Sequence, residues 1–474
     1  MTELMDLSAT EILRRFAART LSPSDYWAAL ESHVATWEPQ IHALYAYDPE
    51  TARAEAAAAT ERWRSGTPKG PLDGLPVTVK ELIATRGVPV PQGTAATELV
   101  PATTDAPPAA RLREDGAILF AKTTCPDYGM LSSGLSSFHP LTRNPWNPAL
   151  NPGGSSAGAG AAAAAGYGPL HLGTDIGGSI RLPAAWTGTY GLKPSHGRVP
   201  IDPFYLGRVA GPMTRCVEDA ALMMRTLSRP DARDATALPP AEIDWRSPAI
   251  DLSGLRLGLM LEAGCGLPVD PEIRDAITTA ARVFEAAGAV IEEVAPVMTP
   301  EMLAGLDSFW RARSWSDMLH LDEAARAKVL PYVRAWAGRG AKVGGVEALR
   351  GYECTVEMRI GCAALFSRFQ AVLSPVAPVV SFPADWASPL NDPEKPFEHI
   401  GFTVPWNMGE QPAAAINCGF ARNGMPIGLQ IVGPRFADLL VLRLSKAYED
   451  RRGPIRWPVV PAMPSSAPAG HLLP

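Results

Sequence analysis

The sequence predicts an α/β fold in which helices cover both faces of a central sheet. Three observations predict it. Short apolar runs at 76–80, 117–120, 255–260 and 289–291 alternate with helix-length segments that open on capping residues. The hydrophobic fraction is 46% against 19% charged, which supplies apolar side chains for a sizeable core. No run of about 18 apolar residues occurs, so no membrane-spanning helix is expected.

The elements follow in order. Ser8-Ala9-Thr10-Glu11 fits a capping box, with Ile12, Phe16 and Ala17 as the apolar stripe behind it. Ser22-Pro23 opens a second helix, the proline standing at the first position where its missing N–H costs nothing. An Ala-rich third helix covers 50–64 and ends near Gly66. Turn residues then lead into GLPVTVKE, a strand with Lys80 at its far end. A helix from Arg111 precedes the strand 117–120, and residues 129–151, rich in Ser, Pro and Asn, read as loop. An Ala-rich helix follows Ser156, another covers 217–227, and 229–250 reads as an exposed connector. Asp270-Pro271-Glu272 caps a long helix that ends at Gly288. Residues 301–370 are mostly helical and carry Trp310, Trp315, Trp336 and Tyr352. Strands at 370–375, 413–418 and 428–433 precede a last helix at 436–449 and a Pro-rich tail from 455 to 474.

Charge excludes several function classes. Lys and Arg number 43 against 49 Asp and Glu, a net charge of −6, so there is no basic footprint for nucleic acid. No Lys/Arg cluster suggests an anionic membrane surface. The N-terminus is acidic and then amphipathic without an apolar signal core, which points to a cytoplasmic protein. The six cysteines are scattered, with no C-x-x-C and no His at ligand spacing, so no metal site is expected and free thiols are. No metal or organic cofactor is implied.

The chemistry gathers in the stretch 153–195, crowded with Gly, Ala and Ser and almost free of charge. Pro152-Gly153-Gly154-Ser155-Ser156 opens it, and Asp175-Ile176-Gly177-Gly178-Ser179 follows. Glycines before a serine leave backbone N–H groups unobstructed beside a hydroxyl, as an oxyanion hole requires. A serine nucleophile needs a base. His139, His171 and His196 lie nearby in sequence, yet none has an Asp at a recognisable triad spacing. Lys80 ends its strand as a surface lysine or as a buried one whose pKa is lowered toward that of a base. Lys80, Ser155 and Ser179 together form a candidate histidine-free relay. Gly154-Ser155-Ser156-Ala157-Gly158 also satisfies G-x-S-x-G, with Ser156 as the nucleophile of an α/β-hydrolase elbow, but two prolines stand where its strand should be. Gly158-Ala159-Gly160 with Ala163 is a degenerate dinucleotide fingerprint, again without a preceding strand.

With GLPVTVKE, TRNPWN, PGGSSAG, GTDIGGSIRLPAAWTGTYGLKPS, GPMTRCVEDAALM and GMPIGLQIVG in this order, the chain resembles the amidase signature family. The least recognisable part is 301–400. The resemblance implies the amidase-signature fold, with a mixed central sheet. It implies a single domain over 1–454, with its core at 65–230 and 400–450 and a helical substrate-side region at about 300–370. It also implies an amidohydrolase that cleaves a linear carboxylic amide to a carboxylate and ammonia or an amine through an acyl-enzyme. Ser179 would be the nucleophile, and Ser155, on a cis peptide bond to Gly154, would link it to a neutral Lys80. The N–H groups of Ile176, Gly177, Gly178 and Ser179 would hold the oxyanion, while Asp175 and Arg181 brace the loop. Met130, Ser132, Trp186, Trp310 and Trp315 are the candidates for lining the substrate pocket. Aromatics there would suit an aryl or otherwise apolar acyl group, whereas Arg311 and Arg313 would suit a carboxylate-bearing one. Ala157 and the segment LSSGLSS depart from the usual pattern, which bears on contacts to the substrate rather than on the reaction. The partner expected is a small-molecule amide, without nucleic acid or membrane, in a monomer or homodimer. The alternative is the glutaminase subunit of a tRNA-dependent amidotransferase.

Overall fold

The structure, a computed structural model, describes residues 2–246 and 249–460. The strands are β1 (Leu44–Tyr45), β2 (Pro76–Lys80), β3 (Ile118–Thr123), β4 (Leu170–Asp175), β5 (Tyr190–Lys193) and β6 (Val209–Thr214). They continue as β7 (Arg256–Leu259), β8 (Val290–Glu293), β9 (Ala371–Pro375), β10 (Ala413–Phe420) and β11 (Pro426–Val432). All belong to one mixed sheet in the order β1-β3-β2-β4-β6-β5-β10-β11-β9-β7-β8. β2 runs parallel to β3 and β4, and β7 runs parallel to β8 and β9. The middle of the sheet, from β4 through β6, β5, β10 and β11 to β9, is antiparallel throughout.

Local chemistry sets the helix ends. Ser22 closes a capping box with Asp25 on helix Pro23–Ile41. Asp48 caps helix Pro49–Ser65, which stops at Gly66 in the left-handed region at φ +76°. The box expected at Ser8 is only half made. Ser8 accepts the N–H of Glu11, but the Glu11 carboxylate turns outward to Arg14 and Arg15 at 2.6 Å each. Two nearby guanidinium groups outcompete one backbone N–H for that carboxylate.

β6 has no alternating signature and contains Pro212, a residue that usually excludes a central strand. It is paired on both sides nonetheless. Pro212 faces Leu172 of β4, whereas the pairing with β5 takes up only Met213 and Thr214. Helix Ala157–Ala165 is buried at every residue. A Cβ on Gly158 would sit 2.3 Å from the Ala43 carbonyl oxygen, so the stretch is small-residued because backbone passes against it. Helices Pro300–Met318, Glu323–Lys328, Pro331–Gly338 and Gly345–Phe366 occupy most of the span from 300 to 366. The Pro-rich tail lies outside the described residues beyond 460. Among the described residues, no helix is long and apolar enough to cross a membrane.

The topology positions the site. β2 and β4 are parallel, with Val79 opposite Leu172, so Lys80 and Thr174 emerge at the same, carboxyl-terminal edge of the sheet. That edge is where open α/β sheets place their ligands.

Candidate active site

Lys80 is fully buried at the end of β2. Its Nζ lies 2.8 Å from Ser155 Oγ and 3.0 Å from Thr174 Oγ1, with both partners buried. Burial pushes the Lys80 amine down to about 8, because a charged ammonium loses its hydration there. The neighbouring negative groups offset this only in part. Two other lysines are pushed to about 7 by the same cause, Lys122 and Lys193. Lys122 reaches the Ile83 carbonyl and Thr85, and Lys193 reaches the Pro194 carbonyl. A lowered pKa therefore does not single out Lys80; its contact with Ser155 does.

Ser155 follows a cis peptide bond from Gly154. A Cβ on Gly154 would lie 2.4 Å from the Ser133 nitrogen, so the turn is packed against the 131–133 backbone. Gly129, at φ +67°, brings its backbone close to the Ser155 hydroxyl from the other side. The next residue, Ser156, is turned inward. Its hydroxyl donates to the Thr174 carbonyl at 3.1 Å and accepts the Thr174 N–H at 3.2 Å. It is fully buried and follows loop rather than strand, so the nucleophile-elbow reading of this motif fails.

The backbone N–H of Ser156 donates to the Ser179 carbonyl at 3.1 Å, tying the two serine turns together. Ser179 itself is half-buried and faces a cavity. Among the described residues no hydrogen bond joins the Ser155 and Ser179 hydroxyls. The N–H of Gly178 is taken up by Asp175 Oδ1 at 2.8 Å, and that of Ile180 by Asp175 Oδ2 at 3.0 Å. This departs from the expected oxyanion set. With Gly178 bound to Asp175, the N–H groups of this loop without an acceptor among the described residues are those of Ile176, Gly177 and Ser179.

Asp175 and Arg181 form a buried ion pair at 2.9 Å beneath this loop. Arg181 also reaches the Thr403 carbonyl, Gln430 Oε1 and Asn407 Oδ1. Burial alone would raise the Asp175 carboxyl, but the Arg181 charge and its hydrogen bonds hold it well below the usual carboxylate range. Arg181→Met leaves Asp175 buried and unpaired. It is expected to cost about 3–5 kcal/mol of stability in a urea titration. An unchanged midpoint would show that the pair does not brace the loop.

No histidine among the described residues contacts either serine. His171 bonds Thr78 Oγ1 and the Gly168 carbonyl, and burial pushes it down to about 3. His139 sits 3.0 Å from Glu81, and His196 reaches the Tyr205 carbonyl. His471 lies outside the described residues.

The cavity at Ser179 has a volume of about 40 Å³ and is lined by Met130, Ser132, Ile176, Gly177, Trp310 and Phe397 among others. Three of the expected pocket residues, Met130, Ser132 and Trp310, are among those lining this cavity. Trp186 and Trp315 are not. Trp186 lies behind the Gly153 turn, where a Cβ on Gly153 would be 2.7 Å from its ring, and donates its indole N–H to the Val379 carbonyl. Trp315 is five residues beyond Trp310 on one helix, which turns it to another face; there Arg326 lies over its ring. Trp336 donates to Asp307, which also holds Arg311. Thr174 and Gln430, which lie within the motifs GTDIGGS and GMPIGLQIVG, complete the site together with Gly129, Thr403 and Asn407, which lie outside any motif.

Comparison with known proteins agrees with this fold. The family model described as Amidase matches residues 28–442. The acylamidase of Rhodococcus erythropolis is 33% identical, over 94% of this chain and 95% of its own length. A glutamyl-tRNA(Gln) amidotransferase subunit of Chloroflexus aurantiacus is 32% identical, over 95% of this chain and 97% of its own. The crystal structure of a bacterial aryl acylamidase superposes with a TM-score of 0.86 at 30% identity, over 94% of this chain and 96% of that one.

Proposed function

Because the chain belongs to the amidase signature family, whose activity is hydrolysis of carboxylic amides, we propose that Ser179 is the nucleophile of this reaction. Lys80, acting through Ser155, is its base. The observation that carries the proposal is the buried 2.8 Å contact between Lys80 Nζ and Ser155 Oγ at the edge where Ser179 meets the cavity. A neutral Lys80 takes a proton from Ser155 as Ser155 takes one from Ser179, and Ser179 Oγ attacks the amide carbon. The developing oxyanion falls to the N–H groups of Ile176, Gly177 and Ser179. The proton held on Lys80 returns through Ser155 to the departing nitrogen, the C–N bond breaks, and an ester remains on Ser179. Water then attacks that ester by the same route and releases the carboxylate.

The acyl group belongs in the cavity beside Trp310, Phe397 and Ile400, whose apolar surfaces suit an aryl or alkyl chain. The amidotransferase relatives support a second reading, a glutaminase. Glutamine carries an α-ammonium group beside its carboxylate, and although Arg313 lines the cavity, no acidic residue does so to pair with that ammonium. Hydrolysis of apolar amides by the purified chain, unchanged by tRNA or ATP, separates the two readings in favour of the first; hydrolysis of glutamine alone would favour the second.

The base must be neutral to act, which fixes the sign of the pH dependence. Below about 8 Lys80 is protonated and unable to accept, so kcat/KM is expected to rise through that value and level off above it. A rate that falls with pH across this region would contradict the assignment. Ser155→Ala breaks the relay while leaving the amine in place, and is expected to lower kcat by about 10²–10⁴. Steady-state assays of the purified variant measure this.

A further inference from the structure

Helix Pro300–Met318 puts Trp310, Arg313 and Ser314 on one face, spaced i, i+3 and i+4. All three line the cavity that holds Ser179, and Arg313 is the charged side chain in an otherwise uncharged lining. Its guanidinium lies 3.5 Å from the centroid of the Tyr205 ring. Stacking occupies the face of the guanidinium and leaves the N–H groups at its edge for an acceptor in the same plane. Among the described residues its ion-pair partner is Asp317, at 3.9 Å and with a side chain 63% exposed. An exposed pair at that distance holds little.

A second guanidinium stands on the same loop as Tyr205. The backbone N–H of Arg208 donates to the Tyr205 carbonyl at 3.0 Å, and its side chain donates to the Pro203 carbonyl at 2.6 Å. Arg208 forms no ion pair among the described residues. Burial, and after it the Arg313 charge, push it down to about 10. Two guanidinium groups that repel each other, one in the lining of the cavity and one half-buried on the Tyr205 loop with the exposed Asp202 carboxylate as its offsetting charge, favour an anion from outside the chain.

We propose that Arg313, supported by Arg208, anchors a carboxylate at the far end of the substrate's acyl group, so that the preferred substrates are monoamides of dicarboxylic acids. A carboxylate is planar and presents two oxygens to one guanidinium fork. The anchor belongs to the acyl side because Arg313 lines the same cavity as Trp310 and Phe397. It would hold the acyl chain while that chain is attached to Ser179 and water enters. The inference rests on the amidase reading of this site.

The test compares monoamides of succinic through suberic acid with the matching uncharged alkanamides. Binding to Ser179→Ala protein is measured by calorimetry, and kcat/KM on the unmodified chain. The charged member of at least one pair is expected to bind about tenfold to a hundredfold more tightly. The ratio of kcat/KM, charged over uncharged, is expected to fall by a similar factor in Arg313→Met and to recover partly in Arg313→Lys. It should rise in Asp317→Asn, which removes the competing carboxylate, an outcome that a merely structural arginine would not produce. Equal affinity within every pair, or a ratio unmoved by Arg313→Met, overturns the proposal. So does a preference for N-hexanoylglycine over adipic acid monoamide, which would put the carboxylate on the leaving amine, or a preference for a phosphonate over a carboxylate. Failure of the catalytic assignment looks different: turnover would survive in Ser179→Ala.

Discussion

Ser179→Ala is expected to lower kcat for amide hydrolysis on the order of 10⁶-fold, the scale seen when a nucleophile is removed from a serine hydrolase. The variant loses the atom that forms the acyl-enzyme, while the Asp175–Arg181 pair that shapes the loop stays intact. Substrate affinity should change little, because the cavity walls formed by Trp310, Phe397 and Ile400 are untouched. A single-turnover assay with a chromogenic anilide measures the loss directly. Activity within tenfold of the unmodified chain would remove Ser179 from the mechanism.

Lys80→Met carries the second large effect, a loss of about 10⁴ in kcat. Methionine is close to lysine in length and needs no hydration, so it fills the buried end of β2 without leaving a charge or a cavity. The thermal midpoint should hold or rise, since a group whose burial disfavours its charged form is removed. The rising pH limb near 8 should vanish from the residual activity, because the group that titrates there is gone. Persistence of that limb in Lys80→Met would assign it to another group. Lys122 and Lys193, both lowered to about 7, are then the next residues to test.

The side chains proposed to react stand out in the sequence because each sits in a run whose composition has a local chemical reason. Gly153 and Gly154 precede Ser155 where the backbone is packed against Pro183 and Trp186 on one side and residues 131–133 on the other, and Gly178, at φ +130°, precedes Ser179 where a Cβ would lie 2.7 Å from Thr403 Oγ1. Lys80 stands out as a polar end to an apolar strand. Thr174 stands within the GTDIGGS motif, but its contact with Lys80 was not legible, because it comes from the register of β2 against β4, which no local pattern encodes. The contacts of Asn407, Thr403 and Gln430 with Arg181 were not legible either, since they span more than two hundred residues.

Composition misled where it ignored facing. Trp186, Trp310 and Trp315 are equally aromatic, yet only Trp310 shares a helical face with Arg313 and Ser314 and meets the cavity. The family resemblance implied four oxyanion donors, whereas the carboxylate of Asp175 takes up the N–H of Gly178. Pro212 hid a central strand, β6, whose pairing is set by its neighbours rather than by its own propensity. The fold class and most element positions were readable from capping residues and apolar runs, and the sheet order was not. Strands far apart in the chain become neighbours in the sheet, such as β5 beside β10 and β7 beside β9.

The identity of the nucleophile is tested most directly by covalent labelling with a fluorophosphonate followed by peptide mapping. The adduct is expected on Ser179, to persist in Ser156→Ala, and to disappear in Ser179→Ala. An adduct on Ser155 or Ser156 in the unmodified chain, with Ser179 unlabelled, would contradict the assignment.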